Sequence, residues 1–378
     1  MNYKKLALDK HKQLGGKIAL KLKDNLDSKE NLSTYYTPGV AAVSSLVAEH
    51  PKQTRDYTWT NNNVAIVSDG SAVLGLGDIG PYGALPVMEG KAMLFKHFAD
   101  IDAVPIVLDV HGTDEIVNAI KAIAPSFGGI NLEDISAPKC FEIEERLKSD
   151  LKIPVMHDDQ HGTAVVTLAG LINAAKVVGK DLNDCKVTLS GTGAAGIAIV
   201  KLIKKYAPKI HIIAVDSKGI IYKGRDNLNT SKEDLLKYLD KTSHEGSLKN
   251  AVTGADIFIG VSSPNILTTE MIKLMTPRPI IFAMANPDPE ITPEKAMLAG
   301  AAVIATGRSD YPNQVNNALA FPGIFRGALD NNVHKITERH KLNAAEAIAN
   351  LVEKPTADNI VPNIGNKKLV EVIANLIR

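Results

Sequence analysis

Two series of short apolar runs, each run followed by a helix-length stretch, constrain this chain most. The first series is VAIVSD from Val64, AVPIVLDV from Ala103, GGINLEDI from Gly128 and IPVMHDD from Ile153. The second is KVTLSG from Lys186, IHIIAVD from Ile210, DIFIGVS from Asp256, PIIFAMANP from Pro279 and AAVIATG from Ala301. Apolar runs of this length read as buried strands. Their alternation with helical patterns predicts mainly parallel sheets covered on both faces, an α/β fold. A chain of 378 residues has room for two such units. The apolar helical stretch from Gly162 to Val178 reads as the connector between them. The expected division is an N-terminal α/β domain over 1–157, a doubly wound, Rossmann-type domain over 158–320, and C-terminal helices over 321–378 that pack back on both. The first thirty or so residues read as helices with a polar face. Lys218 to Asn250 is polar and lysine-rich, and is expected to form a solvated loop and helix.

Composition narrows the partners. The net charge of +1 gives no support for nucleic-acid or membrane-surface binding. No apolar stretch is long enough for a membrane span, and the basic N-terminus is too broken by charge for a signal peptide. Cys140 and Cys185 form no metal-binding spacing and read as reduced, buried thiols of a cytoplasmic protein.

Two of the apolar runs end in adjacent acids, Glu133-Asp134 and Asp158-Asp159. Strand ends of this kind are where open α/β sheets place ligands. Four carboxylates there would repel one another unless a cation sat among them, and hard oxygen donors suit Mg²⁺ or Mn²⁺. Neighbouring residues on a strand face opposite ways, so all four cannot be equal ligands, and one member of a pair must sit at a bend.

The run KVTLSGTGAAGIAIV carries Gly191, Gly193 and Gly196 as a GxGxxG between a strand and a helix. The first glycine permits the turn, the second lets backbone approach a pyrophosphate, and the third lets helix and strand pack closely. Asp216 ends the next strand, where it would accept the adenosine ribose hydroxyls and repel a 2′-phosphate, favouring NAD over NADP. Lys218, two residues on, could neutralise such a phosphate, and Asp216 could instead cap the following turn.

Three further features admit either a chemical or a packing role. Lys91 in GKAMLFKHF stands at the start of a helix-like run, where the helix terminus and apolar neighbours would disfavour an ammonium and prepare a base; the plain alternative is a solvated lysine. Tyr36 in YYTPGVA is an acid candidate or a packed corner residue. Asn286, Asn313, Asn316 and Asn317 could hold a carboxylate or carboxamide, or could cap turns and helices. Gly75, Gly77, Gly80 and Gly83 suggest backbone passing close to a ligand or another segment.

Taken in order, YYTPGVA, DGSAVLGLGDIGP, GKAMLFK, INLEDI, HDDQHGT, GTGAAG, ANPDPEI and NNALAFPG closely resemble the malic enzymes, in their short prokaryotic form. The resemblance implies oxidation and decarboxylation of L-malate to pyruvate with NAD(P) and Mg²⁺ or Mn²⁺. A relative of the same family that decarboxylates oxaloacetate without net redox is the alternative. It further implies Lys91 as general base, Tyr36 as general acid, and Asp158 as the acid beside the base. Glu133, Asp134 and Asp159 would be the metal ligands. Gly191, Thr192, Gly193, Ala194, Ala195 and Gly196 would form the dinucleotide turn, with Asp216 and Asn286 also on the cofactor. Asn286 and Asn317 would face the substrate, Asn316 being the weaker member of its pair. Gly70-Ser71-Ala72-Val73 lacks the arginine that larger relatives use on the substrate, so one malate carboxylate has no assigned partner. The resemblance, and N-terminal helices that need a surface to bury against, imply a homodimer.

Overall fold

The computed structural model describes residues 3–73, 75–242 and 244–378. Leu74, within the glycine-rich stretch, lies outside the described residues. The first sheet contains β1 (Asn63–Ser68), β2 (Asp102–Val107), β3 (Ile130–Leu132) and β4 (Val155–His157), all parallel, in the order β2-β1-β3-β4. The second contains β5 (Lys186–Ser190), β6 (His211–Asp216), β7 (Gly219–Ile220), β8 (Ile257–Gly260), β9 (Ile280–Ala283) and β10 (Val303–Thr306), in the order β10-β9-β8-β5-β6-β7. Only the short edge strand β7 runs antiparallel, paired with β6. All nine expected runs are strands; β7 was not expected, because two residues carry no period.

Each sheet has a point where strand order reverses. In the first it lies between β1 and β3, in the second between β5 and β8. Loops leaving such neighbours part in opposite directions and open a crevice at the carboxyl ends. Glu133 and Asp134 follow β3, and the glycine turn follows β5, so both fall at a crevice.

The helix Asp158–Val178 joins the sheets. It begins four residues earlier than its apolar pattern predicts and ends at Gly179, whose φ of 71° takes the left-handed C-terminal position. It has the length and hydropathy of a membrane span, but 78% of that stretch is buried in the protein, making it a core helix. Val165, Leu168 and Ile172 on this helix belong to one apolar cluster with Val64 and Phe95 of the first unit, Leu189 and Phe282 of the second, and Phe325 of the C-terminal segment. The C-terminal helices Phe321–Asp330, Glu338–Asn350 and Leu369–Ala374 pack back as expected. The first touches the Gly80–Ala99 helix and the second touches the Asp158–Val178 helix.

The N-terminal segment differs from expectation. Among the described residues, only Tyr3–Leu14 is helical before Lys29. Gly15 and Gly16, at φ 67° and 114°, end that helix, because such angles do not propagate it. The helices Tyr3–Leu14, Lys29–Tyr35 and Val40–Glu49 bury no residue.

Candidate active site

The acid pairs converge by two different local devices. After β3, Asp134 adopts φ 53°, a left-handed bend that Asp tolerates better than most residues. The bend defeats strand alternation and lets Glu133 and Asp134 share a side. Asp158 and Asp159 do not end a strand; they form the first turn of the Asp158–Val178 helix, where the backbone dipole favours carboxylates. One carboxylate oxygen from each of Glu133, Asp134 and Asp159 lies within 4.8 Å of the others. The Asp134 N–H donates to Asp159 Oδ2 at 2.8 Å, and Asn131 donates to Glu133 Oε2 at 2.9 Å. Glu133 and Asp134 are each 2% exposed. Three convergent oxygen donors, two buried and Asp159 half-buried, fit a small hard divalent cation.

Lys91 occupies the remaining side of this acid group. Its Nζ lies 2.7 Å from Glu133 Oε1 and 2.6 Å from Asp158 Oδ2. The same ammonium sits 4.4 Å from the centre of the Phe321 ring, a residue of the NNALAFPG motif with no role assigned from sequence. Two expectations about Lys91 are corrected here. It lies in the middle of the Gly80–Ala99 helix, not at its start, because the helix extends back to Gly80. Its proton is also held more tightly than in a free lysine. Burial pulls the ammonium down, but Asp158, Glu133 and Asp159 together outweigh it. Burial in turn pushes Asp158 and Asp159 each up to about 6, against the pull of Lys91.

Gly162 makes the fit possible. A Cβ there would stand 1.9 Å from Asp158 Oδ1 and 3.0 Å from the Asn317 Cβ. Asn317 therefore packs against the turn that carries Asp158. Its neighbour Asn316 is a cap, accepting from the Ala318 N–H at 2.9 Å. Asn313 is a structural staple: it donates to the Ile304 and Ala357 carbonyls and accepts from the Ile360 N–H.

A polar network missed in the sequence holds the same turn from behind. Buried Glu144 accepts from the His157 N–H at 3.0 Å and pairs with His161 Nε2 at 2.8 Å. Lys341, from the C-terminal segment, reaches His161 Nδ1 at 2.9 Å. An ammonium donor at Nδ1 and a carboxylate acceptor at Nε2 assign the neutral imidazole with its proton on Nε2. Burial pushes His161 down to about 4, against the pull of Glu144. Burial would raise Glu144, but His161 and Lys148 hold it well below the usual carboxylate range. Contacts made across 17 and 180 residues of chain leave no spacing signal.

The glycine turn behaves as its motif requires. Gly191 has φ 103°, and a Cβ there would lie 2.6 Å from the Val261 carbonyl. Gly193 faces open space, while a Cβ on Gly196 would strike the Gly191 carbonyl at 1.9 Å. Gly191, Thr192, Gly193 and Asp216 line a cavity of about 1130 Å³. Ala194 and Ala195 open the following helix, and Ala194 packs on the apolar cluster of the first sheet. Ala137, three residues after Asp134, lines the same cavity, so the segment that follows Glu133 and Asp134 runs on to its wall. Lys218 and Lys232 line it too, so the lysine-rich stretch is not simply a solvated face.

Two predicted residues lie further out. Asn286 follows β9 and is exposed; its carbonyl meets the glycine-rich loop, since a Cβ on Gly75 would lie 2.2 Å from it. The glycine-rich stretch therefore touches another segment of the chain. Tyr36 is 66% exposed on the N-terminal segment.

Fold and site together define a two-domain, dinucleotide-binding α/β enzyme with a buried carboxylate cluster beside a lysine. Residues 15–148 match the malic enzyme N-terminal domain and residues 160–376 the malic enzyme NAD binding domain, and the chain belongs to the malic enzyme family. It is 52% identical over 380 residues to a bifunctional malic/malolactic enzyme of Bacillus subtilis, covering 100% of this chain and 92% of that one. It is 54% identical over 366 residues to an NAD-dependent malic enzyme of Geobacillus stearothermophilus, covering 96% and 76%. The crystal structure of an NAD-dependent malic enzyme of Thermotoga maritima superimposes with a TM-score of 0.95 at 50% identity, covering 98% of each chain.

Proposed function

We infer that Lys91 and Tyr36 are the base and acid of an NAD(P)-dependent, metal-assisted malic enzyme. The chain oxidises and decarboxylates malate to pyruvate and CO₂, reducing NAD or NADP. The observation that carries the assignment is the Lys91 ammonium, 2.7 Å from Glu133 at the edge of the acid group. Glu133, Asp134 and Asp159 would hold the metal, Mg²⁺ or Mn²⁺ by the chemistry of their oxygens. When bound, such an ion supplies Lewis-acid polarisation of the carbonyl formed at C2, which favours loss of CO₂.

Lys91 takes the C2 hydroxyl proton as hydride leaves for the nicotinamide. It must be neutral to do so. With Glu133 and Asp159 committed to a cation, two of the three carboxylates that hold its proton would lose their grip on it. Asp158 keeps the amine oriented. Tyr36 delivers a proton to C3. Asn286 and Asn317 would offer neutral amides to the substrate, and Asn286 to the cofactor as well. Gly191 to Gly196 take the pyrophosphate, and Asp216 marks the adenosine ribose. NAD is the preferred acceptor, supported by the acid at the end of β6 and by NAD-dependent relatives.

The working unit is a homodimer. Leu8, Leu20, Leu22 and Tyr36 are 74%, 88%, 72% and 66% exposed in a segment whose helices bury nothing, and a second copy would cover them. Tyr36 then acts at the junction of two copies. Reduced, buried Cys140 and Cys185 support a cytoplasmic setting.

Steady-state rates with malate and with oxaloacetate, each with NAD and NADP, with and without Mn²⁺, test the assignment. Malate should drive Mn²⁺-dependent formation of reduced cofactor. Decarboxylation of oxaloacetate with no such signal from malate would overturn it. Tyr36→Phe should impair proton delivery to C3 more than hydride transfer; equal rates for both steps would place the acid elsewhere.

A further inference from the structure

Asp158 and Asp159 take their direction mainly from the backbone turn that carries them. Asp158 Oδ2 meets Lys91, but among the described residues its buried Oδ1 has no hydrogen-bond partner. Asp159 Oδ2 accepts the Asp134 N–H at 2.8 Å. One carboxylate from another helix closes that turn. Glu144, on the helix Lys139–Asp150, accepts from the His157 N–H at 3.0 Å through Oε1 and from His161 Nε2 at 2.8 Å through Oε2. His157 immediately precedes Asp158, and His161 stands two residues beyond Asp159. A single side chain thus bridges both ends of residues 157–161, which contain the two acids.

The imidazole that completes this bridge is itself fixed. Lys341 Nζ lies 2.9 Å from His161 Nδ1 and has donors only, while the Glu144 carboxylate has acceptors only. The opposite tautomer would set an N–H against the ammonium and a lone pair against the carboxylate. Lys341 belongs to the helix Glu338–Asn350, which packs on the Asp158–Val178 helix, and its Nζ also reaches Glu338 Oε1 at 2.6 Å. Glu144 and Lys341 are 5% and 2% exposed. Buried ions contribute little net stability, because desolvation offsets their attraction. What they supply is direction, since charge-assisted bonds are short and hold one geometry. Direction matters at this turn: a reacting group misplaced by about 1 Å can lose about 10²-fold in rate.

We propose that Glu144 and Lys341 are positioning residues of the reaction. Glu144 clamps the turn so that Asp158 meets Lys91 and Asp159 joins the metal group, and Lys341 fixes the imidazole through which the clamp closes. The C-terminal segment is thereby part of the catalytic apparatus. The proposal rests on Asp159 as a metal ligand and on Lys91 as the base.

The test measures kcat, the KM for NAD, and Mn²⁺ affinity by calorimetry without malate. Glu144→Gln offers one acceptor where two are needed and turns its NH₂ on the other donor. It should lower kcat and Mn²⁺ affinity by about 10–100-fold, the range expected when a group that orients a metal ligand is lost, with the KM for NAD within about twofold of the parent. Lys341→Met keeps the bulk, releases the tautomer, and should lower the same two quantities. Both act through one imidazole, so the double variant should fall well short of the product of the single effects. Lys148→Gln removes a cation 2.5 Å from Glu144 without touching the turn, and should leave kcat within about twofold. Thermal melts show which variants are folded, and Lys341→Met carries the test if Glu144→Gln is not. Parental kcat and Mn²⁺ affinity in the folded variant, whatever its melting point, overturn the proposal. Single effects that multiply in full remove Lys341 from the clamp. Asp159→Asn, titrated in parallel, separates the two readings. Weaker Mn²⁺ binding there, with none in Glu144→Gln, overturns the clamp and leaves the ligand assignment standing; unchanged binding in Asp159→Asn overturns both.

Discussion

Replacing Lys91 with methionine isolates the electrostatics of the cleft. Methionine keeps an unbranched stem that can pack under Phe321 and removes the charge. In the parent the ammonium is 2.6 Å from Asp158 and 2.7 Å from Glu133, with the three side chains 7%, 0% and 2% exposed. Breaking a buried ion pair from one side leaves an uncompensated charge and costs about 3–5 kcal/mol. Here the stranded groups can escape by taking a proton. Burial already lifts Asp158 to about 6 against the downward pull of Lys91, and removing that pull moves it further up. A carboxyl whose folded value is raised above its unfolded one binds more protons when folded. Its penalty is therefore full at high pH and fades as pH falls through the raised value. In EDTA the variant should lose about 3–5 kcal/mol relative to the parent near pH 8, and clearly less near pH 5. Urea unfolding followed by circular dichroism at both pH values measures this. A loss under about 1 kcal/mol near pH 8, or one that does not shrink on acidification, would refute the buried-triad account. Turnover of malate should fall by about 10²–10⁴-fold, the usual worth of a general base, while cofactor still binds. Normal kcat would exclude the base role.

Other expectations follow from single contacts. Asp159→Asn should weaken Mn²⁺ binding, measured calorimetrically, because it removes one of three converging carboxylates; an unchanged titration removes it from the ligand set. Gly162→Ala must displace Asp158 or Asn317, since its Cβ would stand 1.9 Å from Asp158 Oδ1. It should cost about 1–3 kcal/mol and depress kcat more than dinucleotide affinity. A variant with parent kcat would show that the turn has slack. His161 is depressed to about 4, so the unfolded chain binds its proton first as pH falls. Stability should be complete above the unfolded value near 6.5 and decline by about 3 kcal/mol toward pH 4. Glu144, also depressed, adds to the loss below its own unfolded value. Urea midpoints across that range check the slope, and His161→Gln should flatten its upper part.

Local pattern alone made the strands, the glycine turn and the identity of the acids legible. Apolar runs bounded by polar turns record burial on both faces, and GxGxxG records two steric demands that only glycine meets, at Gly191 and Gly196, with open space at Gly193. Asp158 and Asp159 were readable as an acid pair but not as the first turn of a helix, because the apolar pattern begins only after them. The start at Gly80 was hidden by glycine and proline, which mask helical periodicity, and with it the true place of Lys91. The charge state of Lys91 and the neutral His161 held between Glu144 and Lys341 belong to tertiary structure alone. Lys91 meets Asp158 across 67 residues and Lys341 meets His161 across 180. A side chain's type and its local backbone are written in its neighbours along the chain. Its protonation and its partners depend on burial and on charges brought from elsewhere, which exist only once the sheets and the C-terminal helices have packed together.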